Sequence, residues 1–412
     1  MGFKMVDRSE GRLHPRLAHR NQTTSLLVRL VCLLLVSGVL YADDADDGFE
    51  LLFNGNNLSN WVLTNTPPST WTIQDNMLVC SGRPYGEIRT RRMYQNFVLE
   101  VEWRHLVPKG NAGIFLWADD IPSRGVPFHR GIEVQVLEHA YGNTQSYTTH
   151  GDIFPIHGAR MTPNNGRGGS RAFPTELRGT PSPEWNHYRI TCNNGAVSLE
   201  VNGAKVTSGH SCSPRKGYLC LESEGGVVHY RNMKIKTLPN TPVAEEDVAI
   251  ANRGFRSMYT GLNLSGWQSG DRTLQDETAV NGWQVADWIL RHNGPESRLV
   301  STAEAGCTGF LLDVRRTDEK SAARISLSSD DSTLNLAVLT SGGSTPHMNQ
   351  TPGHWNRIEY DWRSGAVQLK INGKAAGAPQ EIDGGTPVTA IQLEGTGRLD
   401  FANLFERRTG TP

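Results

Sequence analysis

Apolar and polar positions alternate with a period of two along most of this chain. In NFVLEVEWRH (96–105), Phe97, Leu99, Val101 and Trp103 fall on one side, and Val98, Glu100, Glu102 and Arg104 on the other. Such alternation marks a strand with one face buried. Tyr188, Ile190 and Cys192 alternate up to Asn194-Gly195, and Val197, Leu199 and Val201 alternate back to Asn202-Gly203. Asn-Gly between alternating runs signals a hairpin, because both residues tolerate the positive φ of the tight turn. Long stretches of period 3.6 are absent. The pattern predicts an all-β protein of short antiparallel strands, a sandwich or jelly roll. Trp61, Trp71, Trp103, Trp185, Trp267, Trp283, Trp288 and Trp355 are its predicted core aromatics.

The pattern occurs twice. GFELLFNGNNLSNW (48–61) returns as GFRSMYTGLNLSGW (254–267), with 12 positions from Phe49 to Trp61 and from Phe255 to Trp267. EWNHYRITCNNGAVSLEVNG (184–203) matches HWNRIEYDWRSGAVQLKING (354–373), and CLESEGGVVHYRNMKI (220–235) matches QLEGTGRLDFANLFE (392–406). Two tandem domains are expected, 48–238 and 254–407, joined by a linker at 239–253 that contains TPVAEEDVA.

The copies differ in one interval. Glu100 aligns with Asp313, yet 85 residues separate Glu100 from Trp185 and only 42 separate Asp313 from Trp355. The first copy therefore holds about 43 extra residues, including GNAGIFLW (110–117), RGIEVQVLEH (130–139) and THGDIFPIHGARMTPNNGRGG (149–169). The second copy shows that a sandwich core does not need them, so they point to a functional site in the first. On the strand within 130–139, Glu133 and Gln135 face one way and Val134 and Val136 the other. Glu138 is out of phase, and a bulge near Leu137 is expected to bring it round to the same face. His139, His150, Asp152 and His157 are candidate ligands or bases close by. Imidazole and carboxylate suit zinc-like ions, so a divalent metal stays open, although no strict ligand motif is present. Arg167 and Arg171, in and after PNNGRGG (163–169), are candidates for hydrogen bonds to sugar hydroxyls.

Composition narrows the classes. The chain has 41 basic and 42 acidic residues in 412, with no basic stripe of the kind a nucleic-acid footprint needs. Basic residues from Lys4 to Arg29, the apolar LVCLLLVSGVL (30–40) and an acidic DDADD predict an export signal over 1–42, cut near Ala42. The apolar run is short for a membrane span, so a periplasmic or secreted protein is expected, with an uncleaved anchor as the alternative. Of six cysteines Cys32 lies in the signal. Cys80, Cys192, Cys212, Cys220 and Cys307 show no CxxC spacing and read as buried thiols with at most one disulfide.

GFELLFNGNNLSNW, FVLEVEWR, GNAGIFLW, GIEVQVLE, EWNHYRI, VNG and GGVVHYRNMKIK together resemble the 3-keto-disaccharide hydrolase family, in full over about 48–238 and as a shortened, degenerate copy over 254–407. The resemblance implies a concanavalin A-like jelly roll acting on an oligosaccharide or glycoside. A partner sugar 3-dehydrogenase first turns the 3-hydroxyl into a ketone. The ketone acidifies the proton on C2, a general base removes it, the glycosidic oxygen leaves C1, and water later adds. Glu133, Glu138 and His150 are then the catalytic candidates, and Gln135, Glu224, His139, Asp152 and Arg167 the substrate-binding ones. The family often carries a different residue where His139 stands. Two other readings stay open. IEVQVLE also resembles the E-x-D-x-x-E strand of laminarinase-type glucanases, with Gln135 in place of the middle Asp. A non-catalytic lectin-like module is the third reading.

Overall fold

The computed structural model describes residues 48–141, 150–251, 253–302, 306–328, 333–363, 366–381 and 390–408. The predicted signal, 1–42, lies outside them. Strands dominate, and the only helical turns among the described residues are the 3₁₀ segments Pro68–Thr70 and Glu245–Asp247. None of the described helices is long and apolar enough to cross a membrane.

The first half is a two-sheet sandwich. Its larger sheet runs in the order Arg160–Pro163, Ala204–Ser213, Ala196–Val201, Asn186–Asn193, Phe97–His105, Val228–Thr237, Met77–Cys80, Trp71–Gln74, with Glu50–Leu51 added beside Val228–Thr237. The smaller sheet runs Trp61–Thr64, Gly86–Thr90, Tyr218–Ser223, Gly113–Ala118, Gly131–Gln135, Ile153–Ile156. The alternating residues read from the sequence meet between the sheets. Leu99, Val101, Trp103, Tyr188, Ile190 and Leu199 from one sheet join Ile88, Ile114, Leu116, Ile132 and Val134 from the other in one core cluster. The Asn-Gly turns form as expected: Asn194 and Gly195 take φ of 48° and 75°, and Asn202 and Gly203 take 48° and 84°.

In the second half one strand joins the layers. Ala390–Arg408 pairs through its first residues with Ala322–Ser328 and through its later ones with Cys307–Arg316. Trp267, Leu290, Leu312, Ile358 and Phe401 lie in its core. The protein is thus all-β, with two jelly-roll sandwiches in tandem. The five cysteines from Cys80 to Cys307 are buried and free, without a disulfide among the described residues. The aromatic expectation needs correction at three positions. Trp185, Trp288 and Trp355 are only half-buried, and Trp185 and Trp355 lie under arginines: Arg104 and Arg231 over the first, Arg315 over the second.

The two halves pack into a single compact unit from Gly48 to Pro412. The Asp313 carboxylate takes a bidentate pair from Arg357, at 2.7 and 2.8 Å, and accepts from Gly125 N and Asn403 Nδ2 at 2.9 and 2.7 Å. Asn403 also donates to the carbonyls of Ser123 and Val126, and its own oxygen accepts from Asn65. The second sandwich therefore grips loop 122–127 of the first. The corresponding positions in the first copy, Glu100 and His187, stand 3.8 Å apart on a wetter face. The segment expected as a linker is sewn down as well: Asp119 and Asp120 accept from Ile250 N and Arg253 N.

Asp313 is fully buried. Asp313→Ala strands the Arg357 guanidinium without its counter-ion, and the expected loss is roughly 3–5 kcal/mol in urea unfolding, the cost of breaking one side of a buried pair.

Candidate active site

Register across the smaller sheet of the first half fixes which side chains share its outer face. One row runs Arg89, Cys220, Phe115, Glu133, Phe154. Glu87 pairs with Glu222, and Gly113 with Gln135. Because Leu221 pairs with Ile114, Glu222 falls opposite Gly113 and these four form the next row. Three carboxylates, a thiol and an amide thus project from the face that does not meet the core. The face is nonetheless closed to solvent, with Glu133 6% exposed and Glu222 2%.

Gly113 sets the spacing. A Cβ there would stand 2.7 Å from Glu133 Oε1 and 3.0 Å from Glu222 Oε2. The two carboxyl groups therefore lean over a residue with no side chain, and face each other across it. Asn111 completes this edge, donating to the Glu224 carboxylate and accepting from Gln135 Nε2 at 2.9 Å. Gln135 Nε2 also donates to Ala112 O at 3.3 Å. Both amide hydrogens are thereby spent, and the Gln135 oxygen is the atom left to accept from a ligand.

Crowding and dryness raise the proton affinity of these acids. Burial pushes Glu133 well above the usual carboxylate range; the charges of Glu224, Glu87 and Asp152 add to that, while Arg171 opposes it. Burial also raises Glu222, with Glu133 and Glu224 as the next causes. Burial lifts Glu224 to about 7, and a hydrogen bond with Glu222 pulls the other way. That bond favours the neutral form of Glu222 and the charged form of Glu224. Arg171 pairs with Asp152 at 3.0 Å and lies 3.5 Å over the Phe154 ring, placing a positive charge at the rim.

The sequence-derived candidates divide. Glu133, Gln135, Glu224 and Asp152 gather around this face. Glu138 does not, which corrects the expected bulge. The chain leaves the sheet after Gln135, and the Glu138 oxygens accept from the backbone N–H groups of Lys109, Ala140 and Ser182. Those bonds outweigh its burial and hold its pKa down to about 2, so it ties loops together and has no proton to give at neutral pH. His150 is a second correction. Gly151, at φ +80°, turns the chain between Asp152 and His150, and the imidazole enters the core against Trp103 and Tyr188. Its Nδ1 bonds Leu137 O at 2.7 Å, and burial lowers its pKa to about 4. His139 stands beside His150, its ring 5.5 Å away, and Arg167 lies exposed over Phe173. His139, His150 and Asp152 therefore do not converge as metal ligands. Sequence reasoning passed over Glu222, Glu87 and Asn111. The signal was present for the first of these: in LESE, Glu222 has the parity of Glu224.

Residues 48–236 match the family described as the 3-keto-alpha-glucoside-1,2-lyase-like domain. Among solved structures, a protein of Parabacteroides distasonis ATCC 8503 classed as a glycosyl hydrolase is 25% identical, covering 47% of this chain and 94% of its own, with a TM-score of 0.36. The carbohydrate binding module CBM66 from Bacillus subtilis is 11% identical over 44% of this chain and 98% of its own, with a TM-score of 0.31. No curated protein matches the chain.

The Glu224 shift makes stability depend on pH. A carboxyl raised from 4.5 to about 7 holds its proton more tightly in the native state. The stability it lends is complete below about pH 4.5 and is lost as pH climbs through 7. Glu224→Gln removes that loss, and its melting is expected to gain roughly 1–2 kcal/mol over the parent at pH 8 and nothing at pH 4.

Proposed function

From the match of residues 48–236 to the 3-keto-alpha-glucoside-1,2-lyase-like domain, we propose that this sandwich cleaves glycosides whose 3-position has been oxidised to a ketone. What supports the reading is the pair Glu133 and Glu224 on one buried face, where burial raises the proton affinity of both. A carboxylate with a pKa of about 7 is ionised in part at neutral pH and still basic enough to take a proton from carbon. Glu133, kept neutral by burial, has a proton to give.

The chemistry divides between them. The 3-ketone makes the C2 proton acidic, and Glu224 removes it. The electron pair flows into an enolate on the ketone oxygen, and Arg171 at the rim supplies a positive charge for it. The enolate collapses, the C1–oxygen bond breaks, and the leaving alcohol takes its proton from Glu133. The ring is left as an enone, and addition of water at C1 gives the free 3-keto sugar. Gln135, with only its oxygen available, orients the sugar by accepting from a hydroxyl.

The substrate requirement places a sugar-oxidising enzyme upstream. The N-terminal apolar segment 30–40 supports an exported protein that meets glycosides outside the cytoplasm.

Turnover is expected with 4-nitrophenyl 3-keto-glucoside and absent with the unoxidised glucoside. Hydrolysis of the unoxidised sugar at a comparable rate would instead support a direct glycosidase acting through Glu133 and Glu222. Glu133→Gln and Glu224→Gln should each lower kcat about 10²–10⁴-fold. Glu138→Gln, by contrast, should act on stability, with kcat within a few-fold of the parent.

A further inference from the structure

The same sheet face carries a second cluster, drawn from two adjacent strands and the turn before a third, which the chemistry above does not use. Glu87, His129 and Cys220 are all fully buried, and their ligand-type atoms lie within 4.8 Å of one another. Glu87 Oε2 accepts from both the backbone N and the Nδ1 of His129, and Nδ1 stands 3.8 Å from Cys220 Sγ. The other Glu87 oxygen, Oε1, has no hydrogen-bond donor among the described residues, and neither does His129 Nε2 find a partner. A buried carboxylate oxygen without a donor is costly, on the order of several kcal/mol.

We infer that Glu87, His129 and Cys220 form a closed binding site for a zinc-class divalent cation. Imidazole, thiolate and carboxylate are the donors such ions take, and a thiolate disfavours Mg²⁺ or Ca²⁺. A bidentate Glu87 brings in the orphan Oε1 and completes four donor atoms with Nδ1 and Sγ. Charge also closes: one carboxylate and one thiolate neutralise a dication. Phe115, Ala118, Phe128 and Ile156 pack around Cys220 and keep water out, as a structural rather than a catalytic ion requires. On binding, the thiol proton goes to solvent and the imidazole proton moves from Nδ1 to Nε2, so each ion releases one proton. Its ligands come from Gly86–Thr90, Tyr218–Ser223 and the turn before Gly131–Gln135, so the ion would clamp the strands that carry Glu222 and Glu133.

The test uses the full chain, stripped with a chelator and titrated with Co²⁺. One Co²⁺ per chain is expected, with a near-ultraviolet sulfur-to-cobalt charge-transfer band. Zn²⁺ should displace it, and stripping should lower Tm. Cys220→Ser should lose the band, and Cys192→Ser should keep it. A parent protein that binds no stoichiometric Co²⁺, or shows no sulfur band, overturns the proposal whatever the variants do. So does a band that survives in Cys220→Ser. Should Cys220→Ser not fold, Glu87→Gln is expected to weaken Co²⁺ affinity at least tenfold, and unchanged affinity there would equally overturn it. Turnover of 3-keto glucosides is read separately, so this site and the catalytic reading stand or fall independently.

Discussion

The first sandwich is governed by a shortage of solvent around too many acids. Glu133, Glu222 and Glu224 share a buried face, and like charges at that spacing cannot all be ionised. Folding therefore has to retain protons that water would otherwise take. The native state supports this strain because the other face of the same sheet is anchored by Ile88, Ile114, Ile132 and Val134 in a continuous core. The acids are held together by the apolar residues behind them, and Gly113 leaves the room in which they meet.

Much of the architecture could be read from the chain. Period-two alternation located the strands, and the Asn-Gly pairs located hairpins whose φ values bear the reading out. The repeat announced two sandwiches, although the strand Ala390–Arg408, which serves both layers of the second, has no marker in its sequence. The missing interval in the second copy led to the strand carrying Glu133 and Gln135. Reading went astray where the chain leaves regular structure. Parity along a strand stops predicting direction once the strand ends at Gln135, which displaces Glu138, and it does not carry across the turn at Gly151, which sends His150 into the core. Glu87 differs: it reaches the site from a strand distant in sequence, and only the sheet register sets it opposite Glu222, whose parity with Glu224 was legible in LESE.

Duplicate positions have taken different work. Asn232 and Asn403 occupy matching places in the repeat, and both adopt left-handed backbone, with φ near 50°. Each lies at an irregularity of its sheet, where register shifts by a residue. In the first copy that asparagine bonds Glu102 at the surface. In the second it is buried and reaches into the neighbouring sandwich. A kink that merely relieves a twisted strand in one half has become an adhesive point in the other.

That adhesion bears on how the molecule can be divided. Loop 122–127 leads directly to Phe128 and His129, and it is held from outside its own sandwich by Asp313, Asn403 and Arg357. Ile121 shares a small apolar cluster with Phe255, Leu311 and Phe405 of the second half. Trimming the polypeptide at the family boundary would uncover that cluster and unfasten the loop. The repeat unit is thus a poor guide to the smallest piece that can be handled alone, and the shortened copy behaves as a brace without which its sibling is incomplete.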